Sequence, residues 1–219
     1  MDAPLGRAAG NWLEVKESVE CLEGQGPDDL RKLVISCAAH LLVQAGKVKS
    51  VKTGEREAGS CLASGEPRRK WDEMIAAQGA DLSVFKKKLA LDHTAPVVLE
   101  VNAARAGFVS QCDARTLGEV IRDLGGGRAN KESVINYDVG IDRLAKPGEK
   151  VGVGSIVARV HAADAKQAKA AAARIETAFS FVVRVHAIKP LISDVVIAPT
   201  KRVVPHASRQ RKARSSRFG

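Results

Sequence analysis

The sequence predicts an α+β protein: helical over residues 1–90, then a small, mainly antiparallel sheet packed with helices. Three observations carry this. Apolar residues recur at three- and four-residue intervals through the first region. Near Ala95-Pro96 the pattern changes to alternation, with Val97, Leu99 and Val101 on one side. Beyond that point short β-branched runs are separated by turn signals such as Lys146-Pro147-Gly148-Glu149.

The chain opens on a shaped loop, because Pro4 fixes one backbone angle and Gly6 permits angles other residues avoid. Trp12, Val15, Val19 and Leu22 give the first helix one apolar face, and Gly24 stops it. Gly10 falls at or inside its first turn, where glycine costs about 1 kcal/mol relative to alanine, so close approach of another part of the molecule is expected there. Pro27, Asp28 and Asp29 suit a second helix start. Leu30, Leu33, Val34, Cys37, Leu41 and Ala45 follow up to Gly46, apolar enough to predict burial on more than one side. Between Lys47 and Ser64 a short helix is expected over Glu55–Ala63, with Gly54, Gly59 and Gly65 as interruptions. Pro67 opens another helix, with Trp71, Met74 and Ile75 on one face and Gly79 as its stop.

In the second region Gly107-Phe108-Val109-Ser110 reads as a turn into a strand. Arg115–Leu124 reads as a helix with Leu117, Val120, Ile121 and Leu124 inward, ended by Gly125-Gly126-Gly127-Arg128. Strands are expected over Ile135–Ile141, Val151–His161 and Phe179–Ile188. Ala163–Thr177, rich in Ala and Lys, reads as a solvent-facing helix.

At 219 residues and 45% hydrophobic content the chain suits a globular protein with a real core, which aromatics at 4% leave to Ala, Val, Leu and Ile. No apolar run approaches the roughly 20 residues of a membrane span, and no basic-then-apolar leader is visible. Cys21, Cys37, Cys61 and Cys112 are scattered without C-x-x-C spacing or clustered histidines. They read as reduced, buried thiols of a cytoplasmic protein rather than zinc ligands or disulfides. Seven of the ten net positive charges come from Lys201, Arg202, Arg209, Arg211, Lys212, Arg214 and Arg217, leaving +3 for the rest. Such a tail reads as disordered and solvated; nucleic-acid binding is the less favoured alternative, because Phe218 is its one aromatic.

The Gly125-Gly126-Gly127-Arg128 run lacks phosphate-loop spacing and follows a helix, so it reads as a turn. Gly107-Phe108-Val109 with Gly148, Val151 and Gly154 is similar to the flattened barrel of biotinyl and lipoyl carriers, but no hairpin-tip lysine motif accompanies it, and no organic cofactor is expected. His40, His93, His161, His186 and His206 stand isolated from any nucleophile. Glu17 lies on the helix side shared with Gly10 and Leu13; its chemistry alone fits a solvated helix glutamate, while the carbonyls of the preceding loop could complete an oxygen-only cation site.

Several strings together carry a family resemblance: Pro4-Leu5-Gly6-Arg7, Gly10-Asn11 and Leu13-Glu14-Val15; Ala76 to Asp81; Leu124 to Arg128 with Lys131-Glu132; Val139-Gly140; and Lys146-Pro147-Gly148 with Val151 and Gly154. The chain resembles the thymidine and pyrimidine-nucleoside phosphorylase family over nearly all of residues 1–197. The opening string is internal in that family, near the middle of a chain about twice as long. The resemblance thus implies a C-terminal half, with Met1 at an internal position. It implies three parts: residues 1–94 from the helical portion of the catalytic region, 95–198 as a C-terminal domain of α/β-hammerhead type, and 199–219 as the basic tail. The implied activity is that of a pentosyltransferase of pyrimidine salvage, cleaving pyrimidine nucleosides with phosphate, cytoplasmic and homodimeric when full-length. No catalytic or substrate-binding residue of the family maps onto this chain, so the chain alone is expected to be inactive. Some members bind potassium through loop carbonyls and a helix glutamate, which correspond to Leu5, Ala8 and Glu17. A non-catalytic binding or scaffold module is the alternative.

Overall fold

The computed structural model describes residues 3–184 and 190–196. The expected basic tail, His186, His206 and the end of the strand expected to reach Ile188 lie outside these residues.

Five helices come first: α1 (Asn11–Leu22), α2 (Asp28–Gln44), α3 (Val51–Ala63), α4 (Glu66–Ala77) and α5 (Leu82–Leu89). Their starts are chemically specified. The Ser50 hydroxyl accepts the Thr53 N–H, and the Asp81 carboxylate accepts from Ser83 and Val84. α5, which the periodicity did not separate, owes its start to that Asp81 cap. α3 is longer than expected and runs straight through Gly54 and Gly59. A Cβ at Gly54 would sit 2.9 Å from the Ala39 Cα and carbonyl oxygen, so the glycine is where α3 and α2 touch backbone to backbone. The expectation for α2 is overturned: only Ala39 is buried, while Val34 and Leu41 are exposed, because α3 is its main neighbour among the described residues.

The second region holds β1 (Val97–Asn102), β2 (Gly107–Cys112), α6 (Ala114–Ile121) running into a wide turn over Arg122–Gly126, β3 (Gly140–Asp142), β4 (Lys150–Val151), β5 (Ile156–Ala162), α7 (Ala165–Ala178) and β6 (Phe179–Val182). They form two three-stranded sheets, β1-β5-β3 and β4-β2-β6, with every pairing antiparallel. The strand expected over Ile135–Ile141 shrinks to β3, since Asn136 donates to the Gly125 carbonyl and the Asp138 N–H turns onto the Asn136 side chain. The strand expected over Val151–His161 is split by a turn in which Gly152 donates to Ser155. α7 is not simply solvent-facing: Ala168, Ala171, Ala172, Ile175 and Ala178 form a buried stripe against β1, β5 and α6. The main core draws its members from Val101 to Phe179, including Leu117, Val120, Ile141, Leu144, Val157 and Val160.

An ion-pair brace ties the end of the helical region to the first sheet. Arg159 on β5 holds Asp142 on β3 through two bonds of 2.8 and 2.6 Å and reaches Asp92, after α5, at 2.7 Å. His161 is fully buried, with Nε2 3.0 Å from Asp142 Oδ1 but not aligned for a hydrogen bond. Its ring also lies edge-on to His93, with centroids 6.5 Å apart. Burial alone would raise the Asp142 carboxyl, but Arg159 and the nearby His161 outweigh it and hold it down at about 2.

Two predictions follow from this packing. Gly54→Ala lowers stability by about 1–3 kcal/mol through overpacking, whereas Gly59→Ala, whose Cβ would meet only Ile35 Cδ1 at 3.9 Å, raises it by up to about 1 kcal/mol; urea melts of both variants check the contrast. Because the Asp142 carboxyl titrates lower in the folded than in the unfolded chain, its contribution is complete above the unfolded value and disappears as pH falls towards 2. Asp142→Asn therefore costs on the order of 2 kcal/mol at pH 7, and the gap from the parent narrows as pH falls from about 5 towards 2.

Candidate functional site

The site is built on the loop of residues 4–10, whose backbone is gripped by the second region. Ala9 and Ile141 exchange both N–H···O bonds at 2.8 Å, adding a rung to the free edge of β3. The Leu144 N–H donates to the Arg7 carbonyl at 3.0 Å, and Arg7 Nη1 donates to the Leu144 carbonyl at 3.0 Å. The Arg7 guanidinium also pairs with Glu149. Lys146 Nζ donates to the Pro4 carbonyl and, at 2.6 Å, to the Gly6 carbonyl, and lies 2.9 Å from Asp29 Oδ2. At the helix end, the Gly10 N–H donates to Glu14 Oε1 at 2.8 Å and the Gly10 carbonyl accepts the Glu14 N–H at 3.0 Å. Gly10 (φ +127°) is required there, since a Cβ would fall 2.9 Å from the Gly140 Cα and the Val139 carbonyl. That is the close approach expected from its position.

The bonding leaves two groups over. From Pro4 to Gly10 the carbonyls of Pro4, Gly6, Arg7, Ala9 and Gly10 each accept a hydrogen bond. Among the described residues, no donor reaches the carbonyls of Leu5 and Ala8. Leu5 is partly exposed at 36%, and Ala8 is buried.

Glu17, on the face of α1 towards this loop, is only 8% exposed, which corrects the solvated glutamate that its chemistry alone suggested. Its Oε1 accepts the Arg7 N–H at 2.7 Å. Its Oε2 lies against Gly6 (φ +68°), where a Cβ would come within 2.0 Å of it. Burial raises the Glu17 carboxyl above the ordinary range, and the N–H groups of Arg7 and Ala8 pull the other way. An open cleft of about 340 Å³ runs beside it, lined by Glu17, Glu20, Leu13, Asp142 and Arg143 among others. Burial also raises Glu20. The structure thus brings Leu5, Ala8 and Glu17 onto one loop–helix junction.

Other sequence readings resolve simply. Gly125 (φ +90°) and Gly126 form the helix-ending turn, with the Gly126 carbonyl accepting from Asn11 Nδ2 at 2.8 Å. Cys21 and Cys112 are buried as expected, but Cys37 and Cys61 are exposed, because α2 and α3 bury so little of their surface. Among the described residues no group of three or more His, Cys, Asp or Glu could hold a metal, so any cation here depends on backbone carbonyls. Sequence reasoning missed Lys146, Glu149 and Asp29. The first two looked like turn residues and Asp29 like a helix-end charge, and nothing local signals partners more than a hundred residues away.

The pyrimidine nucleoside phosphorylase C-terminal domain family matches residues 108–182. The thymidine phosphorylase of Agrobacterium fabrum is 38% identical over 183 residues, covering 82% of this chain and 41% of that protein. The pyrimidine-nucleoside phosphorylases of Geobacillus stearothermophilus and Bacillus subtilis are 34% and 35% identical, each covering 74% of this chain and 37% of theirs. The chain spans less than half the length of these relatives. It matches the C-terminal portion of the thymidine and pyrimidine-nucleoside phosphorylase family.

Proposed function

We propose that this chain is the C-terminal scaffold of a pyrimidine-nucleoside phosphorylase and contributes part of its cation site. In the whole enzyme, phosphate attacks the anomeric carbon of thymidine or another pyrimidine nucleoside. The free base leaves, and a deoxyribose or ribose 1-phosphate forms; the reaction is reversible. Residues 1–94 complete the helical part of the catalytic region, and residues 95–198 form the hammerhead-like C-terminal domain. The assembled enzyme works as a homodimer in the cytoplasm. The observation that carries the reading is that similarity to the relatives extends over 82% of the chain, well beyond the C-terminal domain alone. Val34, Leu41, Met74 and Val84, exposed on the helices, agree with a scaffold that a further polypeptide portion covers.

None of this chain's residues is assigned to the reacting atoms. Its part is to brace the loop and to hold a monovalent cation such as potassium through the Leu5 and Ala8 carbonyls and Glu17, with remaining ligands supplied from elsewhere in the enzyme. The fit is supported by the two carbonyls left without donors and by a carboxylate that burial makes costly to ionise. All three donors are oxygen, which suits a hard cation. The cation supplies positive charge that offsets ionised Glu17.

The purified chain is expected to show no phosphorolysis of thymidine or uridine, and fusion to the preceding portion of the Agrobacterium enzyme to restore it. Turnover by the chain alone, or a folded but inactive fusion, contradicts the scaffold reading. For the cation, thermal melts of that fusion in potassium chloride against choline chloride at equal ionic strength are expected to show higher stability in potassium. Because the folded Glu17 carboxyl is raised, its ionised form costs stability, so the potassium effect grows as pH rises and fades in acid. Glu17→Gln abolishes it; identical melts of the parent in both salts would exclude the cation site.

A further inference from the structure

We propose that Lys146 is the positioning residue of that cation site, a tethered ammonium that decides which loop carbonyls remain available. The inference rests on the cation reading above. Lys146 lies beyond β3, in the second region, yet its Nζ reaches the Pro4 carbonyl, the Gly6 carbonyl at 2.6 Å and Asp29 Oδ2 at 2.9 Å. An ammonium has three protons, and here three acceptors take them. Its side chain is 16% exposed, so this is a largely buried cation held by two carbonyls and a carboxylate. Leu5 and Ala8 of the same loop, with Glu17 of α1, offer the same kind of donor set. The loop therefore presents two oxygen sets. One is filled from within the chain by Lys146, and its charge is balanced by Asp29. The other is left for a free cation beside Glu17.

The hydrogen bonds explain why the first set governs the second. With the Pro4 and Gly6 carbonyls released, the loop would have four uncommitted acceptors in place of two, and Gly6, at φ +68° against the Glu17 carboxylate, would lose one of its two anchors. The other anchor is its N–H, which donates to Asp29 Oδ2 at 3.2 Å, the oxygen that Lys146 also contacts. Both anchors therefore pass through the Lys146–Asp29 pair. Removing Lys146 frees the loop from the sheet-bearing region at this point, although Arg7 and Ala9 still tie it down through Leu144 and Ile141. Lys146 thus makes cation affinity depend on a residue that follows Pro4 by 142 positions.

The test uses the full 219-residue chain fused to the preceding portion of the Agrobacterium enzyme, and thallium(I) acetate as a potassium surrogate, titrated by thallium-205 NMR, a readout independent of activity. Lys146→Met is expected to raise the thallium dissociation constant at least tenfold, and Lys146→Arg, which keeps charge and donors, to stay within about threefold of the parent. A merely structural role would lower the melting temperature of Lys146→Met while leaving the dissociation constant unchanged, and that result overturns the proposal. Where Lys146→Met does not fold, Lys146→Gln is titrated in its place with the same criterion. A parent fusion that binds no thallium removes the cation reading and this inference with it. A parent that binds, with unchanged affinity in the variants, removes only the role of Lys146.

Discussion

Five of the seven carbonyls in the loop of residues 4–10 accept hydrogen bonds, and all but one of those bonds come from residues 141–146. A buried backbone carbonyl without a partner costs free energy comparable to a lost hydrogen bond, so a loop of this kind keeps its shape only while its donors stay in place. Those donors are Leu144, Ile141 and the Lys146 ammonium, together with the Arg7 guanidinium reaching back the other way. The helical and sheet-bearing regions are therefore joined by hydrogen bonds and ion pairs at this loop, with Ala3 and Ala9 packed against the core of the second region. The core itself lies within the second region.

Charge placement reinforces the junction from two sides. Arg159 holds Asp142 and Asp92 at the end of the helical region, and Arg7 and Lys146 hold Glu149 and Asp29 at its start. Pairs as buried as Arg159 and Asp142 contribute to specificity of geometry, because removing one partner strands the other in a poorly solvated place. Glu17 is the exception in this region: it is buried against backbone N–H groups, and neither a lysine nor an arginine side chain pairs with it among the described residues.

Local chemistry made much of this legible. The helix starts at Asn11, Asp28 and Glu66 sit where glycine or proline signals them, whereas α3 begins at Val51, ahead of the expected Glu55, because Gly54 reads locally as an interruption; the change of pattern at Ala95-Pro96 coincides with the approach to β1. Gly10 signalled a close contact correctly because a glycine at a helix start has few other reasons to be there. What local chemistry could not convey was pairing at long range. The split between β4 and β5 follows from partners on β2 and β1, which the run of residues does not encode. The exposure of α2 was misread because apolar spacing reports which face seeks burial, not whether this chain supplies the cover. Glu17 beside loop carbonyls is a candidate from its position, while Leu5 and Ala8 are named only by the family resemblance; the bonding that singles out the two carbonyls emerges from residues 141–146.

The most direct measurement is an anomalous difference map from crystals of the chain fused to the preceding portion of the Agrobacterium enzyme, grown in rubidium chloride. The account predicts a peak in contact with the Leu5 and Ala8 carbonyls and the Glu17 carboxylate, with Lys146 still on Pro4 and Gly6. A map without density at that junction, or with those two carbonyls turned onto other donors, would contradict it.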